Sequence, residues 1–233
     1  MKLFVIASDK YRNLMGAYGK LLAKYWPGQT ATILCYAPPN IPLGDNCEVV
    51  SLGKQSDFGK YWTNGLIPFF SKLKEDYFII TVDDMLLMDY VEEDKLSILE
   101  KEINAEPVQK AMIHSHMNKV HGVMWKPGIL KIRQSARYRT TLHPAIWRKD
   151  YFLKYLKPNM TAWNFEVANI PESQKDGALV ITLDQSRHIF DCINVFRGGK
   201  IVVDSPGATD GQRREEDIKL IKEAVERDVL RSI

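Results

Sequence analysis

Residues Tyr77-Phe78-Ile79-Ile80-Thr81-Val82 form an almost unbroken run of β-branched and aromatic side chains, and it ends in two adjacent aspartates, Asp83 and Asp84. A run of this kind reads as a strand buried on both faces, the usual state of a central strand in an α/β sheet. Side by side, the two carboxylates would repel each other and be costly to desolvate. A divalent cation removes that penalty, and Mg²⁺ or Mn²⁺ is typically held by one or two carboxylates with substrate phosphates completing the shell. The carboxyl end of a central strand is also where ligands collect in open α/β sheets. The plainer alternative is that Asp84 caps the short segment Met85-Leu86-Leu87-Met88 and Asp83 is solvated at the strand end.

The chain has 233 residues, 45% of them apolar, which suits one large domain or a domain with an appendage. No stretch approaches the roughly 20 apolar residues that span a bilayer. Met1 to Ser8 resembles a short signal peptide, but the charged run Asp9-Lys10-Tyr11-Arg12 follows at once, so a first core strand is the better reading. Cys35, Cys47 and Cys192 are odd in number and lack metal-type spacing. They argue for a reducing, cytoplasmic setting rather than a disulfide scaffold. A net charge of +3 does not indicate nucleic acid.

Hydrophobic periodicity predicts a strand over residues 2–7 and an amphipathic helix from Lys10 to Tyr25, with Leu14, Tyr18, Leu21 and Leu22 inward. Strands follow at 31–36 and 48–52, a helix at 61–73, and then the strand carrying the acidic pair. Strands alternating with helices predict βαβ units and a mostly parallel sheet over residues 1–90. Beyond it come a helix over 92–103, short irregular strands over 110–150, a short helix over 150–156, a strand over 178–183 and a further strand within 188–196. Residues 212–230 predict a charged helix with Ile218, Ile221, Ala224, Val225 and Val229 on one stripe. That stripe either packs on the body or pairs with a second chain. Its acids nearly balance its bases, which favours a homodimer over membrane contact.

Four further clusters carry candidate chemistry. Ser8-Asp9-Lys10-Tyr11 follows the first strand, where an open α/β fold meets a nucleotide; the alternative is a helix cap. Arg139 through Trp147 offers a planar cation for phosphate or carboxylate and a flat ring; alternatively it turns a corner at Pro144 and buries Trp147. Trp163-Asn164-Phe165-Glu166 sets a carboxylate among aromatics, which suits a general base, with Trp163 available to a sugar ring; otherwise Glu166 is a first-turn helix acid. His188 with Arg197-Gly198-Gly199-Lys200 combines a nitrogen ligand with a cationic turn that can approach a diphosphate, or forms a plain Gly-Gly hairpin. There is no Gly-x-Gly-x-x-Gly, no P-loop and no Gly-x-Ser-x-Gly elbow. His114, His116 and His121 lack an acid or cysteine at ligand spacing and read as structural or surface residues.

These segments together resemble GT-A-type glycosyltransferases, particularly small ones of phages and bacterial surface-polysaccharide loci. The resemblance lies in Phe4 to Tyr11, Asp76 to Asp84, Arg139 to Tyr151, Trp163 to Glu166 and Asn194 to Lys200, in that order over roughly residues 3–200. It implies a Rossmann-like α/β fold with a mixed, mostly parallel central sheet flanked by helices. It also implies a catalytic domain over 1–205, divided into a nucleotide-binding half (1–90) and an acceptor half (91–205). The C-terminal helix, 206–233, lies outside it.

The activity implied is transfer of a hexose from a nucleotide-diphosphate sugar, with UDP as the family-level expectation, to a glycan or other hydroxyl acceptor. Mn²⁺ or Mg²⁺ would assist. Asp84 becomes the metal ligand, Asp83 the ribose or metal-water contact, His188 a second ligand and Glu166 the base of an inverting reaction. Ser8, Asp9, Tyr11, Arg139, Arg197 and Lys200 become donor contacts. The acidic motif here is Asp83-Asp84-Met85, without an acid at its third position. A nucleotidyltransferase on a similar sheet is the nearest rival, although residues 8–16 lack its usual glycine-rich basic loop. A non-catalytic binding protein is the third reading.

Overall fold

The computed structural model describes residues 1–54, 56, 61–114, 121–184, 189, 191–197, 200–204 and 214–230, with the side chains of 228–230 outside that set. In chain order the elements are β1 (Leu3–Ile6), α1 (Leu14–Tyr25), β2 (Ala31–Cys35), β3 (Cys47–Ser51), α2 (Thr63–Lys72), β4 (Tyr77–Val82) and β5 (Met85–Leu87). Then come α3 (Glu93–Ala105), β6 (Val108–Met112), β7 (Gly122–Lys126), β8 (Ile129–Ile132), β9 (Ala145–Arg148), α4 (Lys149–Tyr155), α5 (Ala162–Ala168) and α6 (Ile170–Ser173). The last are β10 (Leu179–Leu183), β11 (Cys192–Asn194), β12 (Phe196–Arg197), β13 (Lys200–Ile201) and α7 (Glu215–Leu230). No helix among the described residues is long and apolar enough to cross a membrane.

The chain divides into two compact units that interleave along the sequence, where the sequence led us to expect a division near residue 90. The first contains Lys2–Lys54, Thr81–Val91 and Phe190–Ile233; the second contains Gln55–Ile80 and Glu92–Ile189, with Met1.

In the first unit, β1, β2 and β3 pair in parallel, Leu3 opposite Ala31 and Ala31 opposite Cys47. Both β1 and β2 are buried at every position, as parallel strands made mostly of apolar residues should be. The predicted first helix breaks into a 3-10 turn, Asp9–Tyr11, followed by α1. Leu14, Tyr18, Leu21 and Leu22 of α1 are all buried, as its periodicity requires. Gly19 is needed there, because a Cβ would sit 1.8 Å from the Leu43 carbonyl oxygen. The chain leaves β4 at Asp83-Asp84, and β5 pairs antiparallel with β11.

The terminal helix α7 packs on α1 within this unit. Ile218, Ile221, Ala224 and Val225 are buried. Lys24 reaches Glu216 and Asp217 at 2.7 Å each, and the Tyr25 hydroxyl donates to Asp217. Burial of apolar side chains at about 1.5–3 kcal/mol each outweighs partly exposed ion pairs at about 0–1 kcal/mol, so packing holds the helix. Four of the five residues of the stripe that suggested a homodimer are buried inside the chain's own unit, and the side chain of the fifth, Val229, lies outside the described residues.

The second unit is mixed. Its strands run in the order β4-β9-β6-β10-β8-β7, with only β6 and β10 parallel. An aromatic cluster of Phe70, Phe78, Trp147, Phe152 and Phe165 fills its core. Beside it lies a polar hub. Arg139, fully buried, donates to the carbonyls of Ser173, Ile132, Arg133 and Ala178, and stands 3.7 Å from Asp176. Asp176 in turn accepts from Tyr151, Tyr155, Gln134 and the Ala178 amide. Burial pushes the Asp176 carboxyl up, but those hydrogen bonds, led by Tyr155, outweigh it and leave it below the ordinary value.

Asp176 therefore stabilises the fold above its unfolded value of about 3.9, and that contribution is lost as pH falls through the lowered native value. Asp176→Ala should cost about 3–5 kcal/mol in urea unfolding at pH 7, because it strands a buried guanidinium. Lys157→Ala, which removes an exposed partner of Glu172, should cost no more than about 1 kcal/mol. The gap between the two should narrow below about pH 4.

Candidate active site

The end of β1 and the end of β4 are joined through Asp83. Its amide donates to the Ile6 carbonyl at 3.1 Å, and its Oδ2 accepts from the Ser8 amide at 2.7 Å. The Asp84 carbonyl accepts from the Val195 amide at 2.8 Å, which brings the start of the β12–β13 pair to the same end of the unit. Tyr11 stacks on Phe196 with ring centroids 4.0 Å apart and planes 18° from parallel. The first unit thus gathers Ser8, Tyr11, Asp83, Asp84 and the β12–β13 segment at one sheet end. Arg197 and Lys200 are exposed register partners on that segment.

The electrostatics of Asp83 are one-sided. Asp83 is only 7% exposed. Burial first, and the Asp84 charge second, push its carboxyl well above the usual range, and the amides of Ser8, Asp83 and Asp84 only partly offset this. No lysine or arginine pairs with Asp83 among the described residues. A desolvated hard oxygen donor beside a second carboxylate, without a protein cation, fits Mg²⁺ or Mn²⁺. Among the described residues no three His, Cys, Asp or Glu side chains gather into a metal cluster, so other oxygens would have to complete the shell.

The remaining loop residues are occupied locally. Ser8 Oγ accepts from the Lys10 amide at 3.2 Å, the cap that was the alternative reading. Asp9 accepts from the Ala37 amide at 2.9 Å and lies 3.8 Å from Arg12, tying the loop after β1 to the loop after β2. Both therefore shape the loop, and their capacity for a ligand is what those bonds leave over.

In the second unit, Glu166 is the fifth residue of α5, beyond the first turn where a simple helix acid would stand. Thr161 caps that helix through the Asn164 amide. Glu166 Oε1 accepts from the Thr141 hydroxyl at 2.9 Å and the Leu142 amide at 2.5 Å. Its other oxygen makes no hydrogen bond among the described residues. Trp163, on the same short helix, is 64% exposed.

Two readings fail. Arg139 was expected to meet a phosphate, but its guanidinium is fully buried and directed at four carbonyls and Asp176, so it holds the protein together. Trp147, the ring expected beside it, is likewise buried and packs against Phe152. His188, Gly198 and Gly199 lie outside the described residues, as does His116. Sequence reasoning missed Lys110, whose signal was a lysine inside the buried run Val108 to Ile113, and missed the Thr141 and Leu142 donors, which had none.

No protein-family model and no curated protein matches the sequence. Solved structures do match in shape. The S. aureus TarS 1–349 structure aligns over 81% of this chain and 59% of its own length, at 13% identity and a TM-score of 0.50. UDP-glucose pyrophosphorylase complexed with UDP-glucose aligns over 97% of this chain and 99% of its own, at 8% identity and a TM-score of 0.50. The fold is the GT-A fold. The chain thus spans less than two thirds of the TarS fragment while matching the pyrophosphorylase almost end to end. On a GT-A sheet the Asp83-Asp84 pair stands at a strand's carboxyl end, and its charge burden can be measured without any substrate.

With its native carboxyl raised above the unfolded value near 3.9, Asp83 is stabilising when protonated, and wild-type stability falls as pH climbs above about 4. In EDTA, Asp83→Asn should therefore unfold at a higher urea concentration than wild type at pH 8, and at about the same concentration at pH 4. Millimolar Mn²⁺ at pH 8 should raise the wild-type midpoint and leave the variant's unchanged.

Proposed function

We propose that this protein transfers a sugar from a nucleotide-diphosphate sugar, with UDP the first nucleotide to test, to an acceptor hydroxyl on a glycan or similar molecule. The observation that carries the reading is the buried Asp83 carboxylate, bonded to the Ser8 amide and set beside Asp84, with no lysine or arginine paired to it among the described residues. In this reading Asp83 and Asp84 hold Mn²⁺ or Mg²⁺, Asp84 most directly, with His188 as a further ligand. The cation would offset charge on the departing diphosphate. Arg197 and Lys200, exposed on β12–β13, add donors for the same oxygens. Tyr11, backed by Phe196 on one face, offers its other face to a flat base.

Glu166 is the proposed base. Oε1 is committed to Thr141 and Leu142, which fixes the carboxylate plane, and Oε2 is left to take a proton from the acceptor hydroxyl. Attack by that hydroxyl opposite the leaving group would invert the anomeric centre.

The likeness to UDP-glucose pyrophosphorylase over nearly all of both chains favours a second reading, nucleotidyl transfer between a sugar phosphate and a nucleoside triphosphate. The two differ in product: the first releases a nucleoside diphosphate, the second pyrophosphate. A donor screen with and without EDTA, reading both products, separates them.

Calorimetry should detect UDP binding in Mn²⁺ and none in EDTA, and Asp84→Asn should abolish it. Glu166→Gln can still accept from Thr141 and Leu142, so it should keep UDP affinity and fold while turnover drops about 10²–10⁴-fold. Normal turnover in that variant would remove Glu166 from the mechanism. Absence of any nucleotide binding in Mn²⁺ would remove the mechanism altogether.

A further inference from the structure

Lys110 is a buried basic side chain that the proposed chemistry leaves unused. It stands in β6 and is 1% exposed, a state lysine almost never adopts without partners for its ammonium. Its Nζ donates to the carbonyl of Arg139 at 3.0 Å and to that of Thr141 at 2.7 Å. It also lies 3.9 Å from the centroid of the Trp147 ring on β9, close enough for a cation–π contact. The loop bearing those carbonyls begins at Tyr138, whose φ of 58° is left-handed for a residue other than glycine. The Arg139 side chain fastens the loop through Ser173, Ile132, Arg133 and Ala178. Further along the loop, the Thr141 hydroxyl and the Leu142 amide both donate to Glu166 Oε1.

We propose that Lys110 is a positioning residue for Glu166: by holding the carbonyls of Arg139 and Thr141, it fixes the hydroxyl and the amide that aim the Glu166 carboxylate. The inference rests on Glu166 being the base. The charged groups that act on Lys110 are Glu166 from α5 and Arg139 from the loop; burial works against its proton, Glu166 favours it and Arg139 opposes it. A free backbone segment in this place would let the carboxylate swing, and a displacement of about 1 Å at a reacting group costs about 10²-fold in rate.

The test uses Lys110→Met, which keeps most of the stem's volume and removes all three donors. In the ligand-free protein, amide exchange at Leu142 should become at least about tenfold faster, with the amides paired between β6 and β9 unaffected. With Mn²⁺ and the donor found in the screen, kcat should fall about 10- to 100-fold while donor KM and the Kd for UDP stay within about twofold. Lys110→Gln retains an amide donor and should recover part of both losses. Wild-type exchange at Leu142 in Lys110→Met, or a loss shared equally by KM and kcat, would overturn the proposal. If the methionine variant does not fold, Lys110→Gln decides alone: exchange at Leu142 must exceed wild type with donor KM unchanged. Exchange is read without turnover, so a failure of Glu166 as base, seen as normal kcat in Glu166→Gln, is distinguishable from a failure of Lys110 to hold the loop.

Discussion

A carboxylate taken out of water without a counter-cation is the least comfortable group a fold can carry, and among its described residues the first unit offers none to Asp83. Everything near it is arranged around that group. The Ser8 amide turns toward it, its own amide is fixed to Ile6, and Asp84 adds a second negative charge instead of relief. A backbone amide contributes a partial charge, and the penalty for desolvating an ion is several kcal/mol, so the bonds observed cannot balance the account by themselves. A structure that keeps such a residue buried is either holding it protonated or reserving it for a cation. Those two states differ by one positive charge at the same oxygens, which is why the site is expected to respond to pH and to metal in opposite senses.

The second unit buries two basic side chains. Arg139 and Lys110 each face backbone carbonyls, with Asp176 adding a carboxylate for the arginine alone. Carbonyl oxygens are weaker partners than carboxylates, but they belong to the main chain. A cation bound to them therefore fixes the path of a loop, where one bound to a side chain fixes only that side chain. Arg139 takes four carbonyls from three segments and acts as a node of the core; Lys110 takes two from one loop and acts on that loop. The difference between the two lies in how many pieces of chain each restrains, not in their charge.

The sequence made some of this legible. The run Tyr77–Val82 and the stripe Leu14, Tyr18, Leu21, Leu22 declared themselves because strand and helix periodicity are local, and the buried faces follow directly. The Asp83-Asp84 pair was visible because two adjacent acids after an apolar run have few inexpensive explanations. Arg139 was misread because its neighbours Tyr138 and Thr140 carry no sign of burial; its partners Ser173, Asp176 and Ala178 lie more than thirty residues away. The terminal helix was legible as an amphipathic helix but not as to its partner, since the same stripe serves α1 or another chain equally well. Tyr25 and Lys24, set opposite Asp217, mark α1 as its partner.

Glu166 brings the structural and chemical demands into one side chain. A base must be aimed, and aiming consumes acceptor capacity; a carboxylate has two oxygens, and here the Thr141 and Leu142 bonds use one of them. A glutamine in its place would supply the same carbonyl oxygen to the same two donors and an amide nitrogen where the free oxygen stood. Anchoring the loop and, in the proposed reaction, accepting a proton therefore fall to different atoms. A side chain that served only as an anchor would have no need of the charge, and a half-buried charge kept next to a buried lysine is more readily understood as an atom held in reserve than as packing.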